Sequence, residues 1–156
     1  MIGRARSFMP LAAVLVTLGA PALAETQQTR LSPADIAALA TGGAGPGTSG
    51  VEGIRTTVLY GDPSGAGPYT IEIRVPPHTR IAAHTHRDDR SAVVVSGMWF
   101  FGYGDMADEK LVKPLAPGSF YTEPADAPHF AMTRDEPAVV YITGHGPTDT
   151  HFSTTR

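Results

Sequence analysis

From Ile54 onward, the chain consists of short runs of β-branched and aromatic residues, interrupted every few positions by glycine or proline. In the run 69–75, isoleucines alternate with charged residues, a pattern typical of a strand with one buried face. No stretch after Ala40 has apolar residues at helical spacing over a useful length. The sequence therefore predicts an all-β domain.

Seven runs are expected to form antiparallel strands. They are residues 54–60, 69–75, 92–95, 98–103, 119–122, 129–132 and 138–143. The continuous apolar run 92–95 predicts a strand buried on both faces, and Gly97 is expected to join it in a hairpin to the next run. Full or partial closure into a barrel would hide the strand edges that such a meander exposes.

The first 24 residues have the pattern of a cleaved export signal. Arg4 and Arg6 form a basic start, the apolar stretch 8–19 follows, and small residues precede the expected cleavage point after Ala24. The apolar stretch is short for a membrane span, and no later segment reaches that length. The short basic start and compact cleavage site are typical of bacterial signals. We therefore expect a periplasmic or secreted protein with no membrane partner once the signal is removed.

A short helix is expected after the signal, because Ser32 can cap it, Pro33 suits its first position and Asp35 its third. The glycine-rich segment 41–50 lacks the Lys-Ser/Thr ending of a phosphate-binding loop and is interpreted as a linker. The chain is thus divided into a signal peptide, a helix with linker, a β-barrel and a C-terminal tail, over residues 1–24, 25–50, 51–147 and 148–156.

Composition excludes several classes of partner and site. Loss of the two arginines in the signal takes the formal net charge from −3 to −5, and no lysine or arginine cluster remains. This argues against nucleic acid and anionic membrane surfaces as partners. The chain has no cysteine, so disulfides and thiolate metal ligands are excluded. A bound metal would need imidazole, carboxylate or water ligands.

His84-Thr85-His86 is the strongest candidate for chemistry. Residues i and i+2 of a strand point to the same face, so the two imidazoles can converge. With His129 as a third ligand, they would form a site for one divalent ion such as Fe, Mn, Zn, Ni or Cu. Binding is expected to weaken as the pH falls through about 6.5, because protonated imidazole cannot ligate a metal.

The spacing around these histidines resembles that of the cupin superfamily. The positions that fit its two motifs are His84, His86, Gly97, Gly118, Pro124 and His129. The resemblance covers roughly residues 54–144 and implies a small antiparallel β-barrel (a double-stranded β-helix, or jelly roll) with one metal held inside by the motif histidines. It also implies a homodimer as a candidate assembly, since cupins often dimerise through edge strands.

Arg90 occupies the position where the family usually has a glutamate ligand. A guanidinium has no lone pair for a metal and would be repelled by a nearby divalent ion. Either Arg90 turns away, or an anion lies between it and the metal. Asp88 or Asp89 would then supply a displaced carboxylate ligand, orient an imidazole N–H, or simply pair with an arginine.

The motifs depart from the usual pattern at three further positions. His78 and Asp126 stand where glycine is usual, and Thr133 stands where asparagine is usual. Histidine and aspartate tolerate positive φ better than most residues, so we expect the two turns to survive.

Three protein ligands would leave metal positions open, which favours a metal-dependent enzyme acting on a small molecule. The family includes dioxygenases, isomerases and lyases, so the resemblance does not choose a reaction. Arg90 would hold a substrate carboxylate or phosphate if it faces the cavity. Tyr103 or Tyr121 would bring a hydroxyl near the metal, or would pack in the core or rim. The alternatives are a non-catalytic small-ligand or metal-binding sensor module, and a barrel that has lost its metal.

Overall fold

The computed structural model of the protein describes residues 28–43 and 47–153, so the expected signal peptide lies outside the described residues. One helix and ten strands follow in order. They are α1 (Pro33–Ala38), β1 (Arg55–Tyr60), β2 (Gly67–Val75), β3 (Arg80–Thr85), β4 (Arg90–Ser96), β5 (Trp99–Tyr103), β6 (Lys113–Leu115), β7 (Phe120–Glu123), β8 (His129–Met132), β9 (Ala138–Gly146) and β10 (His151–Phe152). In the part of the chain described, no helix has the length and apolar character needed to cross a membrane.

The helix begins where the sequence predicts. The Ser32 side chain accepts a hydrogen bond from the Asp35 backbone N–H, and the Asp35 carboxylate accepts one from the Ser32 N–H at 2.8 Å. This reciprocal pair satisfies two donors that a helix start otherwise leaves open. None of the helical residues is buried, so α1 lies outside the core.

The strands form two five-stranded antiparallel sheets. Their orders are β1-β2-β9-β4-β7 and β10-β3-β8-β5-β6. The core residues are drawn from both sheets, among them Ile71 of β2, Val140 of β9, Trp99 of β5 and Ala131 of β8. The prediction of an all-β antiparallel barrel is therefore confirmed.

The predicted burial of the run 92–95 is wrong. Ala92 and Val94 are buried, but Val93 and Val95 remain 42% and 40% exposed. The strand β4 thus has one face in the core, and its outer face is apolar as well. A continuous apolar run cannot distinguish this arrangement from burial on both faces.

The predicted hairpin at Gly97 is also wrong, because β4 and β5 belong to different sheets. The strand β4 pairs with β7 and β9, whereas β5 pairs with β6 and β8. Gly97 adopts φ 72°, and a Cβ there would lie 1.9 Å from the Pro137 carbonyl oxygen. The glycine allows the chain to pass closely beside Pro137 as it crosses from one sheet to the other.

The two substituted turns survive as expected. His78 and Asp126 adopt φ 56° and 58°, the left-handed region that glycine would favour. The Asp126 N–H donates to the His86 carbonyl at 2.8 Å, which ties this turn to the histidine pair. Thr133 is buried, and its hydroxyl donates to the Pro76 carbonyl at 2.6 Å.

Candidate metal centre

The three predicted histidines lie together inside the barrel. His84 of β3 is the direct cross-strand partner of His129 of β8, and His86 follows just after β3 ends. One ring nitrogen from each lies within 4.8 Å of the others, and all three side chains are buried. The sequence prediction that these imidazoles come together is confirmed.

A register shift in β3 aims His84 at the interior. Ile81 and His84 both line the central cavity, although strict alternation would place residues three apart on opposite faces. The pairing of β3 with β8 is irregular between these two residues. Such a bulge re-aims the side chains that follow it.

Backbone carbonyls fix the orientation of all three rings. Each Nδ1 lies within hydrogen-bond distance of a carbonyl oxygen, namely that of Ala82 for His84 (2.7 Å), Asp149 for His86 (2.5 Å) and Ala127 for His129 (3.0 Å). Because a carbonyl only accepts, Nδ1 carries the proton and Nε2 keeps its lone pair. The Nε2 atoms of His86 and His129 are buried without a hydrogen-bond partner in the described structure. The three side chains therefore fit a divalent metal ion.

Burial keeps these histidines neutral. It lowers the pKa of His84 to about 4, with a further contribution from His129, and that of His86 to about 3, with a further contribution from Arg90. Burial also lowers the pKa of His129. Protons should therefore compete with a metal nearer pH 4 than pH 6.5, below the range that the sequence suggests.

The stability of the metal-free protein should fall as the pH is lowered from 6.5 to 5. In this window the unfolded chain protonates His84 and His86, whereas the native state, with its lowered pKa values, does not. Each of these histidines should lower the stability by about 1.5 kcal/mol over that interval. Urea unfolding at the two pH values measures the loss, and His84→Gln should remove part of the dependence. Equal stability at both values would contradict the lowered pKa values.

Glu123, which no sequence motif singles out, brings a carboxylate to the histidines. It ends β7 and is buried, and its Oε2 lies 3.7 Å from the Nε2 of His129 and 3.9 Å from that of His86. Burial alone would raise the pKa of this carboxyl, but the adjacent charge of Arg90 outweighs burial and lowers the pKa. The carboxylate is therefore ionised. A signal was present in the sequence, since Glu123 lies two residues after Tyr121 in a strand and directly precedes motif residue Pro124.

Arg90 faces the cavity and is bound by the protein itself. It begins β4 directly opposite Glu123, and its Nε donates to Glu123 Oε2 at 2.6 Å, while Nη2 contacts the same oxygen. Its Nη1 donates to the Gly47 carbonyl at 2.6 Å. Of the two arrangements that the sequence left open, the structure has the second, and the anion between Arg90 and the histidines is Glu123.

The two aspartates after the histidine pair have other contacts. Asp88 is buried and accepts hydrogen bonds from the hydroxyls of Tyr69 at 2.8 Å and Thr148 at 2.6 Å. Asp89 accepts one from the backbone N–H of Ala125 at 2.9 Å. The imidazole N–H groups are thus oriented by backbone carbonyls and not by these aspartates. Asp88 and Asp89 instead form hydrogen bonds to neighbouring strands and loops.

The two candidate tyrosines differ in position. Tyr103 is 51% exposed, and its hydroxyl donates to the Thr122 carbonyl at 2.7 Å. Tyr121 lines the cavity, and its buried hydroxyl has no hydrogen-bond partner within the described ranges. Burial, and then the charge of Glu123, raises the pKa of Tyr121 well above its ordinary value, so the hydroxyl stays protonated.

The cavity beside the histidines is small and mostly apolar. Its volume is about 30 Å³, roughly that of one water molecule in the liquid. The polar end is formed by His84, His129, Glu123 and Arg90, and the remaining wall by Gly47, Thr48, Ser49, Ile54, Ile73, Ile81, Trp99, Phe101, Tyr121, Ala131 and Ile142. Typical ligand pockets are about ten times larger or more. A substrate of more than a few atoms therefore requires the wall to move.

Residues from the segment before β1 and from the segment after β9 complete the centre. Besides the Asp149 carbonyl on His86, the Thr150 hydroxyl donates to the Thr48 carbonyl at 2.8 Å. The strand β10 then pairs with β3, with Phe152 opposite His84. The sequence did not indicate the role of Asp149, because a backbone carbonyl leaves no side-chain pattern.

No protein-family model and no curated protein matches this chain. Several solved structures do. The polyketide cyclase RemF from Streptomyces resistomycificus superposes with a TM-score of 0.63 at 15% identity, over 83% of this chain and 88% of that one. A sugar phosphate isomerase of the cupin superfamily from Silicibacter pomeroyi gives 0.59 at 20% identity, over 78% and 81%.

A DMSP lyase structure (RdDddP or RnDddQII) gives a TM-score of 0.55 at 23% identity, over 65% of this chain. The match spans about half, 53%, of that lyase chain. Identities this low establish the fold alone. The two antiparallel sheets and these structural neighbours together show that the chain has the cupin fold.

Proposed function

We propose that this protein binds one divalent metal ion through His84, His86 and His129 and is a metal-dependent enzyme acting on a small molecule. One observation carries the proposal: the three buried imidazoles converge as neutral ligands, each held by a carbonyl at Nδ1. A fixed tautomer with a free Nε2 lone pair is what metal binding by histidine requires. The set contains imidazole and carboxylate but no thiolate, which suits Fe, Mn, Zn, Ni or Cu.

The argument for catalysis rests on the open positions that three imidazoles leave. A bound metal would supply Lewis-acid chemistry or activate water or dioxygen there. The chain's own residues would orient the ligands and exclude bulk water through the apolar wall formed by Trp99, Phe101 and Ile142. The neighbours named as a cyclase, an isomerase and a lyase support a small-molecule substrate, and their differing chemistries leave the reaction open.

The nature of the substrate is constrained by Arg90. Its guanidinium is engaged by Glu123 and by the Gly47 carbonyl. An anionic substrate would therefore be attracted chiefly by the metal. Arg90 would bind the substrate only if it gave up one of these two contacts.

We propose an exported, periplasmic location on the pattern of residues 1–24.

The alternative is a non-catalytic metal-binding or sensor module. The cavity favours it, because about 30 Å³ leaves no room for an ordinary substrate in this conformation. A metal ion held by its protein ligands would need little free space.

Metal content tests the proposal. The mature protein, purified without a histidine tag, should contain close to one metal ion per chain by elemental analysis. The variant His84→Ala/His86→Ala should lose it. Iron or manganese would indicate oxygen chemistry, and zinc would indicate Lewis-acid chemistry. Little metal in either protein, even after reconstitution, would overturn the proposal.

A further inference from the structure

We propose that Glu123 is a fourth protein ligand of the metal, so that the carboxylate of this centre comes from β7 instead of β4. This inference rests on the proposed function, because it requires a metal at the three histidines. The position on β4 that the cupin motif gives to an acid holds Arg90, and Glu123 is its direct partner across the two strands.

The distances from the carboxylate to two of the three histidines are compatible with a shared metal ion. Glu123 Oε2 lies 3.7 Å from His129 Nε2 and 3.9 Å from His86 Nε2. Two atoms that each bind one ion at about 2.1 Å are about 3.0 Å apart at a right angle and about 4.2 Å apart when opposite. Both measured separations fall within this interval, and both exceed the length of a hydrogen bond.

The electrostatics of the metal-free arrangement also indicate a cation. Because the Nδ1 protons are bound to carbonyls, the Nε2 atoms of His86 and His129 present lone pairs. They face a carboxylate oxygen of Glu123 in a buried space, and neither Nε2 has a hydrogen-bond partner among the described residues. Three acceptors turned toward one another repel, and the repulsion is strong where water is excluded. A divalent ion at the centre would reverse it.

Arg90 is a positioning residue in this arrangement. It holds Glu123 Oε2 through Nε at 2.6 Å, and its Nη1 is anchored to the Gly47 carbonyl. A carboxylate oxygen accepts more than one interaction, so Oε2 can contact both the guanidinium and a metal. Arg90 thereby fixes the direction of the carboxylate.

The test is Co²⁺ affinity, measured by competition with a chelator and accompanied by the visible absorption spectrum of the bound ion. Glu123→Gln should weaken binding about 100-fold or more, since even partners outside the ligand shell cost about 10- to 100-fold. It should also change the spectrum, which reports the ligand set. Glu123→Asp keeps the charge but withdraws the oxygen by one methylene, so it should weaken binding as well. Unchanged affinity and spectrum in both variants would overturn the inference.

Glu72→Gln is the matched control. Glu72 is also buried and bound to an arginine, Arg74, at 2.7 Å. It alternates in β2 with the core residues Ile71 and Ile73, so it lies on the opposite face of the sheet from the centre. Its replacement should leave Co²⁺ affinity and spectrum unchanged. A loss equal to that of Glu123→Gln would show a general effect of buried charge and overturn the inference.

Two further variants separate the possible failures. Arg90→Met/Glu123→Gln removes both buried charges. If Glu123→Gln alone does not fold, Co²⁺ affinity is measured on this double variant instead. His129→Ala should abolish Co²⁺ binding. Loss in His129→Ala with full affinity in the Glu123 variants would overturn the fourth ligand and leave the three-histidine site standing. If the protein without substitutions binds no Co²⁺, both the fourth ligand and the three-histidine site are overturned.

Discussion

Glu123→Ala should lower the free energy of unfolding of the metal-free protein by about 3–5 kcal/mol. The substitution leaves the guanidinium of Arg90 buried, with its Nε and Nη2 donors unpaired. Removing one partner of a buried ion pair costs more than the pair itself contributes, because the remaining charge has lost its water and its counterion. Urea unfolding in the presence of a chelator measures the loss without a contribution from metal.

Two comparisons make this expectation specific. Arg90→Met/Glu123→Leu removes both charges and should recover most of the lost stability. Glu72→Ala should cost only about 1 kcal/mol, because its partner Arg74 is half exposed and returns to water. If the double variant is as unstable as Glu123→Ala, the loss arises from packing and not from the unpaired charge.

Gly97→Ala should destabilise the protein by about 3 kcal/mol or more, the range of severe core substitutions. Gly97 is in the left-handed region at φ 72°, where a side chain costs about 1–2 kcal/mol. In addition, the new Cβ would lie 1.9 Å from the Pro137 carbonyl oxygen and 3.0 Å from the Cα of Ala138. These are backbone atoms in or beside β9, so relief requires moving a central strand of the sheet.

Gly118 provides the matched comparison. It has φ 86°, but a Cβ there meets no atom within 4 Å among the described residues. Gly118→Ala should therefore cost only the conformational penalty of about 1–2 kcal/mol. Thermal and urea unfolding of the two variants measure the difference. Equal losses would mean that the backbone around Gly97 relaxes and that close approach to Pro137 is not what requires glycine.

The His84/His86 pair and the helix start could be predicted because each depends on local spacing. His129 was predicted from the spacing of both cupin-like motifs. His84 and His86 share a face through the two-residue period of a strand, and Ser32 with Asp35 forms a cap within one turn. Glu123 depends instead on which strand pairs with which. The strand β7 lies beside β4 with Arg90 opposite Glu123, a register that no short-range pattern specifies.

The crossover at Gly97 could not be predicted for a related reason. Two apolar strands separated by a glycine have the same pattern whether they pair with each other or join different sheets. No local pattern predicts the bulge between Ile81 and His84 either, although it determines that both residues face the cavity. Local patterns thus predict most of the strands, but not the short strands β6 and β10. The long-range pairing decides what the strands bring together.

The carbonyl of Asp149 makes the metal centre dependent on the segment that follows β9. The hydrogen bond from Thr148 to Asp88 and the pairing of β10 with β3 hold this segment in place. The segment in turn orients the His86 ring. Docking of the segment and ligation by His86 must therefore favour each other by the same free energy. A purification tag fused after Arg156 would lie close in sequence to β10 and would act on the same equilibrium, so metal affinities measured on tagged and untagged protein are expected to differ.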